Sequence, residues 1–231
     1  MHKELAKLQS VVDKLVRDIA SDGRTIRVLD AGCGSFRYVD LKQNVYTVGI
    51  DVSEKQLQKN ANLNEKILGD LQTYDLPASS FDLIICWDVL EHLPNPTKAL
   101  LNFKNATKKG GIVILKLPNI LSIKGLLTKF TPLGFHVWMY RHVCGSQEAG
   151  KDGHGPFRTF FKFSIRPAAV KRFALENGFS IEYLSIYEGH VQNKVIDTIL
   201  AILKFILQIF TLGKINPNKT DYIMVLKKQK R

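Results

Sequence analysis

The chain of 231 residues is long enough for one sizeable domain, and its 45% hydrophobic content excludes an intrinsically disordered protein. Its 33 Lys and Arg residues outnumber its 21 Asp and Glu residues, which gives a formal net charge of +12. The three widely spaced cysteines exclude a disulfide framework and a structural zinc site, and the charges among the first apolar positions do not fit a signal peptide. These features predict a cytoplasmic protein.

The positive charge has more than one interpretation. Solvated lysines alone would keep the protein in solution, whereas a functional charge would attract an anionic membrane surface, an anionic substrate or a nucleic acid. A nucleic acid is the least favoured partner, because no basic stretch is interleaved with aromatic residues that could stack on bases.

The first half of the chain predicts a helix followed by alternating strands and helices. Apolar residues three and four positions apart predict an amphipathic helix within residues 1–22. Residues 53–60 and 96–107 are further predicted helices, with Ser53 as an N-cap and Lys108 to Gly111 as a helix stop. Short apolar runs predict five strands, at 26–29, 45–50, 65–68, 81–87 and 111–117. Because these runs are apolar on both faces, they indicate an α/β fold whose parallel sheet is covered on both sides.

The second half predicts a helix at 168–177 and two further strands, at 180–187 and 222–226. Residues 118–166 form a long insertion after the fifth strand. Residues 195–212 are apolar except for one narrow polar stripe. The stripe consists of Asp197, Ala201, Lys204, Gln208 and Thr211.

Glycines and carboxylates follow the ends of the first three predicted strands. Gly32 and Gly34 give the first turn a backbone that a ligand can approach closely. Asp51 ends the second strand, where a carboxylate can accept both hydroxyls of a ribose, and Asp70 follows the third, where it can accept from the amine of an adenine. Each residue alone is explained by a turn or a helix cap. Ligands of open parallel sheets bind at these strand ends, so the joint pattern predicts a nucleoside-binding site.

Six segments between residues 26 and 117 match a known family in the correct order. They are VLDAGCG at 28–34, VGIDVS at 48–53, GDL at 69–71, SFDLI at 80–84, WDVLEHL at 87–93 and KGG at 109–111. In these segments the chain resembles the class I S-adenosylmethionine (SAM)-dependent methyltransferases, particularly the type 11 group. The resemblance implies a Rossmann-like three-layer sandwich with a seven-stranded, mostly parallel sheet. Its last strand is antiparallel, so that 180–187 would pair with 222–226.

The resemblance also implies SAM as the cofactor. Its site would be lined by Asp30, Gly32, Gly34, Asp51, Asp70, Leu71, Trp87 and Asp88. Asp51 would hold the ribose hydroxyls, Asp70 and the Leu71 backbone would read the adenine, and Trp87 and Asp88 would lie beside the sulfonium. The chain departs from the family at residues 35–37, which replace the usual third glycine of the first motif. The short spacing between Asp30 and Val45 requires a short or irregular helix after the first strand.

Transfer to a hydroxyl needs a nucleophile held in line with the sulfonium and usually a general base. The candidate bases are His154, in a glycine-flanked loop, followed by His136 and His92. The insertion 118–166 contains the first two and lies where the family places its acceptor lid, although its aromatic residues are also explained by packing. Asp88, Glu91 and His92 would share one face of a helical turn, as in the metal-binding ubiquinone-biosynthesis O-methyltransferases. We favour the simpler interpretation, in which they order the pocket wall without a metal.

Residues 195–212 approach the length of a membrane span. They connect two strands that should pair in one sheet, so a single crossing would leave the last strand on the wrong side of the membrane. We therefore expect a helix that lies in a membrane interface at the inner face, contacts a second copy in a homodimer, or packs as a lid.

The sequence thus predicts a single methyltransferase domain over residues 1–231, with a SAM-binding core at 26–117. The expected acceptor is a small molecule, a glycan or a lipid-linked molecule, and we favour oxygen as the methylated atom. The alternative function is that of a SAM-binding regulator or scaffold without turnover.

Overall fold

Seven strands form one sheet in the part of the chain that the structure describes. The structure is a computed structural model, and it describes residues 2–20, 23–34, 39–41, 44–151, 155–189, 194–210 and 219–230. The strands are β1 (Ile26–Ala31), β2 (Val45–Asp51), β3 (Glu65–Leu68), β4 (Phe81–Trp87), β5 (Thr107–Pro118), β6 (Phe179–Tyr187) and β7 (Asp221–Lys228). Their order in the sheet is β3-β2-β1-β4-β5-β7-β6, and β7 runs antiparallel to both of its neighbours. The predicted Rossmann-like sheet and the antiparallel pairing of its last strand are therefore confirmed.

Helices cover the sheet on both sides. They are α1 (His2–Ile19), α2 (Glu54–Lys59), α3 (Pro96–Ala106), α4 (Ile123–Phe130), α5 (Leu133–His142), α6 (Pro167–Glu176) and α7 (Lys194–Phe210). The side chain of Ser53 accepts from the backbone N–H of Gln56, so Ser53 is the N-cap of α2 as predicted. Residues 21–22 and 211–212, the ends of two predicted helices, lie outside the described residues.

Alternate residues of each central strand point to opposite sides of the sheet. On β4, Ile84 and Cys86 join a cluster that includes buried residues of α3 and α6, whereas Leu83 and Ile85 join a cluster with α1. The strands β1, β5 and β7 divide in the same way. Burying one such Leu or Ile side chain contributes about 1.5–3 kcal/mol. The three layers are therefore held together by apolar burial on both faces of one sheet.

The boundary between α3 and β5 differs from the sequence prediction. The helix α3 ends at Ala106, but Lys108 to Gly111 continue as the irregular start of β5 rather than as a turn. Its pairing with β4 shifts register there, and Gly110 takes a φ of +78°. The insertion 118–166 contains two helices, α4 and α5, and a 3₁₀ turn at Phe163–Ile165.

Asp82 fixes the amino end of β4 from inside the protein. Its side chain is 2% exposed, and its oxygens accept from Arg24 Nη2 at 2.7 Å, Lys108 Nζ at 2.8 Å and the Arg27 backbone N–H at 2.9 Å. Burial opposes ionisation of this carboxyl group, but the three donors outweigh burial and lower its pKa below the usual 3.8. The charged form therefore stabilises the fold at neutral pH.

We expect Asp82→Asn to lower the free energy of unfolding by about 1–3 kcal/mol at neutral pH, because charge-assisted hydrogen bonds are lost. A group with a depressed pKa stabilises the fold above its unfolded pKa and loses that effect as the pH falls through its folded pKa. The difference between the two proteins should therefore shrink in acid, as measured by urea unfolding between about pH 7 and about pH 3. Asp75→Asn, at an exposed carboxylate, is the control. Equal losses in both variants would contradict the role of Asp82.

Candidate active site

The carboxyl end of β1 is the centre of the candidate site. From β1 the chain passes to β2 on one side, while β4 lies on the other side, so the strand order reverses at this point. Ligands of open α/β sheets bind at such a reversal. Asp30 is 6% exposed and lies in register with Gly49 of β2 and Ile85 of β4.

The turn after β1 depends on two glycines with left-handed backbone. Gly32 has a φ of +71°, and a Cβ there would collide with the side chain of Val89 in the turn after β4. Gly34 has a φ of +47°, but no atom of the described residues lies within 4 Å of the position that a Cβ would take there. Gly32 therefore allows two turns of the site to pack closely, and Gly34 is needed for its backbone alone.

Asp51 joins the glycine turn to the start of α2. Its Oδ2 accepts from the Gly34 backbone N–H at 3.0 Å, and its Oδ1 accepts from the Ser53 N–H at 2.9 Å. Each carboxylate oxygen keeps a further lone pair for a ligand hydroxyl. The buried Asn60 supports the same turn, since its Nδ2 donates to the Gly34 carbonyl at 3.2 Å.

Two carboxylates and a thiol cluster beneath the glycine turn. Burial, with the charges of Asp30 and Asp51, raises the pKa of the Cys33 thiol to about 12. The thiol is therefore neutral at physiological pH, and it fills space rather than acting as a nucleophile.

Asp70 lies in the turn after β3 and is held by one neighbour. The backbone N–H of Gln72 donates to Asp70 Oδ1 at 2.8 Å, and its Nε2 lies 3.0 Å from both carboxylate oxygens. Gln72 Oε1 in turn accepts from the Asn95 N–H at 2.8 Å. Leu71 is buried in the core, and its carbonyl accepts from Asn102 Nδ2 at 2.8 Å.

The end of β4 carries a charge cluster that spans three strands. Trp87 ends the strand and packs on the α1 side, and Asp88 follows with a φ of +52°. Lys116 of β5 donates to the two Asp88 oxygens at 2.6 and 2.7 Å and lies 3.0 Å from Asp221 Oδ1 at the start of β7. Burial alone would lower the pKa of Lys116, but the two carboxylates outweigh burial and raise the pKa. Burial also raises the pKa of Asp88, although Lys116 opposes this shift. The cluster therefore holds one ammonium group between two carboxyl groups.

Glu91 is buried and neutral in the turn that follows. Its side chain is 4% exposed, and its Oε2 has no hydrogen-bond partner among the described residues. Burial, with the charge of Asp88, raises its pKa well above the usual value. Its backbone carbonyl accepts from the Phe160 and Phe161 N–H groups, at 2.8 and 3.3 Å, and so ties the insertion to the turn.

His92 is oriented by the insertion. Its Nδ1 lies 2.8 Å from the Arg158 carbonyl, which can only accept, so Nδ1 carries the proton and Nε2 keeps a lone pair in the neutral ring. Burial lowers the pKa of His92 below 6.5 despite the hydrogen bond to Arg158. The ring is therefore neutral at pH 7.

The expected helical face of Asp88, Glu91 and His92 is wrong. The left-handed backbone of Asp88 precedes a 3₁₀ turn, Leu90–His92, so Asp88 does not share a helical face with the other two, whereas Glu91 Oε1 stays 3.9 Å from His92 Nε2. The Asp88 side chain reaches Lys116, that of Glu91 is buried and that of His92 faces Arg158. Among the described residues, no group of three His, Cys, Asp or Glu side chains could hold a metal ion.

The other two predicted bases lie in the insertion. His136 Nε2 is 2.7 Å from Thr131 Oγ1, whose hydroxyl donates to the Leu127 carbonyl, so His136 must donate its Nε2 proton to Thr131. This bond links α5 to the end of α4. His154 lies outside the described residues.

Sequence reasoning missed four residues of the site: Asn60, Gln72, Lys116 and Asp221. Lys116 did leave a signal, because it is the one charged residue in the otherwise apolar run 112–117. A lysine in a strand that is buried on both faces requires carboxylate partners. A cleft of about 490 Å³ lined by Asp75, Asn105 and Lys228 lies at the amino end of β4, away from these groups.

Comparisons with known proteins point in one direction. The profile of a family described as a methyltransferase domain matches residues 2–184. A ubiquinone biosynthesis O-methyltransferase of Thiobacillus denitrificans is 28% identical over 178 residues, which cover 69% of this chain and 66% of that protein. An uncharacterized methyltransferase of Schizosaccharomyces pombe is 32% identical over 117 residues, which cover 43% of this chain and 42% of that protein. The chain thus spans less than two thirds of either relative.

The fold is shared with solved structures. A SAM-dependent methyltransferase from Archaeoglobus fulgidus superposes with a TM-score of 0.55 at 19% identity, covering 94% of this chain and 93% of that one. At this identity the likeness concerns the fold.

The packing of Gly32 can be tested against that of Gly34. At either position alanine would have to adopt the left-handed backbone of the glycine, which costs about 1–2 kcal/mol. Gly32→Ala should cost about 1–3 kcal/mol more, because its Cβ overpacks against Val89. In a Val89→Ala background most of this extra cost should disappear, as measured by urea unfolding of the four variants. Equal costs for Gly32→Ala and Gly34→Ala would contradict the close approach of the two turns.

Proposed function

Because the chain belongs to the methyltransferase-domain family, whose class I members use SAM, we propose that it transfers the methyl group of SAM to a hydroxyl oxygen. The acceptor is a small molecule, a glycan or a lipid-linked molecule. The observation that carries the choice of oxygen is His92, a neutral imidazole with a lone pair on Nε2 beside the charge cluster at the end of β4. The similarity to an O-methyltransferase of Thiobacillus denitrificans supports the same choice.

The residues at the strand ends fit SAM. The backbone at Gly32 leaves no room for a side chain and can approach a ligand closely, and the Asp51 oxygens can each accept a ribose hydroxyl. Asp70 and the Leu71 backbone would bind the adenine, while Asp30, Gly34, Trp87 and Asp88 complete the site. When bound, SAM supplies a methyl group that its sulfonium activates.

Charge supports this placement. Asp88 and Asp221 share one ammonium group, Lys116, so carboxyl groups outnumber cations in this cluster. A negative excess in a partly buried site favours a cationic ligand such as a sulfonium. The ion pairs also fix the Asp88 side chain, so this charge is held in one place before a ligand arrives.

His92 would act as the general base. His92 donates its Nδ1 proton to the Arg158 carbonyl, so the lone pair is on Nε2, which lies 3.9 Å from Glu91 Oε1 and would take the proton of an acceptor hydroxyl. The nearby charge of Asp88 would stabilise the imidazolium that forms, and it offsets part of the lowering of the His92 pKa by burial. His154 and His136 remain candidates for the same role from the sequence.

We expect Asp51→Ala to weaken the binding of SAM and of its demethylated product by about ten- to a hundredfold, the loss of a charge-assisted acceptor. Ser53→Ala is the matched control, since it removes the N-cap of α2 at the same turn without removing a ribose contact. Calorimetry should show affinity within about twofold of the native protein for this control. Unchanged affinity in Asp51→Ala would place the ribose elsewhere.

Turnover is tested by incubating the protein with SAM and panels of phenols, glycans and lipid-linked hydroxyl compounds, and measuring the demethylated product. Rates should fall as the pH drops below the usual histidine pKa of 6.5, because protonated His92 cannot accept a proton. His92→Gln should lower kcat by about a hundredfold or more and abolish this acid dependence.

The control for His92 is His136→Gln, which should retain both the rate and its pH dependence. Loss of turnover in His154→Gln, with none in His92→Gln, would transfer the role to His154. Tight SAM binding with no product from any panel would instead indicate a SAM-binding regulator.

A further inference from the structure

The helix α7 turns its apolar side to solvent. Ile202, Phe205, Ile206 and Ile209 are 56%, 64%, 42% and 58% exposed, and their spacing places them on one face. The side chain of Lys204, in the predicted polar stripe, is only 15% exposed and donates to Glu188 at 2.6 Å. A surface helix ordinarily buries its apolar stripe and exposes its charges. In α7 the apolar stripe is exposed instead, and so is Gln208 of the predicted polar stripe. The exposure of four large apolar side chains on one face indicates that something apolar covers that face.

The helix α4 lies against α7 and extends this surface. Leu127 and Phe130 are 42% and 74% exposed. Together with the four residues of α7 they form what we call the apolar face: Leu127, Phe130, Ile202, Phe205, Ile206 and Ile209. Large contiguous apolar patches are rare on monomeric proteins and mark interaction sites. On the adjoining α5, Trp138 is 54% exposed, an aromatic residue of the kind that favours membrane interfaces.

The two helices of the insertion carry basic charges only, and Glu188, the acid beside α7, is paired with Lys204. The helices α4 and α5 contain Lys124, Lys129 and Arg141 and no Asp or Glu. Lys124 is exposed on α4 itself, and His142 is exposed at the end of α5. A surface of this kind attracts anionic headgroups. It opposes a second copy of the chain, because two basic surfaces would then meet.

We propose that the apolar face docks onto an anionic lipid bilayer, with α4 and α7 lying in the plane of the interface. Apolar side chains would enter the boundary between headgroups and acyl chains, and the surrounding lysines would bind the headgroups. Among the described residues, no helix is long and apolar enough to cross a membrane. The apolar face lies on α4 and α7 and includes none of the residues at the strand ends. Docking can therefore be measured without enzymatic turnover.

The contacts of the insertion bring this surface close to the site. Lys129 of α4 donates to the Phe161 carbonyl at 2.8 Å, and the Phe161 N–H donates to the Glu91 carbonyl at 3.3 Å. If the proposed function holds, docking would therefore present the acceptor side of the protein to molecules anchored in the bilayer.

The first test is sedimentation of the full chain with vesicles of phosphatidylcholine, with and without phosphatidylglycerol. We expect binding to the anionic vesicles only, weakened by salt. Phe130→Ser/Phe205→Ser/Ile209→Ser should bind at least about a hundredfold more weakly. Leu101→Ser/Leu175→Ser/Leu184→Ser, at exposed apolar residues on other elements, should bind like the native protein.

A second measurement avoids variants that fail to fold. Phe205→Trp keeps the apolar area, and its added emission should shift to shorter wavelength with anionic vesicles, while that of Leu175→Trp should not. Absence of native binding to anionic vesicles, equal binding to both vesicle types, or no shift in Phe205→Trp would overturn the proposal. The proposal would also be overturned if analytical ultracentrifugation showed that the native protein is a dimer and that the triple serine variant of the apolar face is a monomer that still binds vesicles.

Discussion

A lysine ammonium inside a sheet that is buried on both faces sets the geometry of the site. Lys116 lies in the apolar run of β5, and burial without carboxylate partners would cost several kcal/mol. Its pairing with Asp88 and Asp221 holds the end of β4 and the start of β7 against β5. The left-handed backbone of Asp88 places its carboxylate on Lys116 and directs the chain into the 3₁₀ turn that carries Glu91 and His92.

The turn at residues 88–92 contacts both the glycine turn after β1 and the insertion. Val89 packs so closely on Gly32 that no side chain fits there, while the Glu91 carbonyl accepts two N–H groups of the insertion. The glycine turn and the insertion therefore rest on the same five residues, 88–92. The neutral Glu91 side chain lets this turn be buried without adding an uncompensated negative charge.

The strands and the glycine turn could be predicted because their causes are local. The runs at 65–68 and 81–87 match β3 and β4 at both ends, and in β4 burial on both faces leaves little choice of structure. The charge cluster could not be predicted, because it joins residues 88, 116 and 221, and no spacing in the sequence relates them. The divergence of Asp88 from His92 was also hidden, since it depends on one left-handed residue that is not a glycine. Which side of α7 is exposed depends on the elements that pack against it, and the polar stripe in the sequence does not identify those elements.

The pairing of Gln72 with Asp70 has a consequence for base selectivity. The side-chain amide presents to the carboxylate the same kind of N–H donor that an exocyclic amine offers. An amine that reaches Asp70 thus replaces one donor by another, and the net gain in affinity is small. A base without an exocyclic amine cannot replace the hydrogen-bond donor that is lost when Gln72 is displaced. If Asp70 binds the adenine as proposed, the contact would therefore reject wrong bases more than it anchors the right one. The exchange would also release the Asn95 N–H, so that ligand binding next to β3 would affect the start of α3.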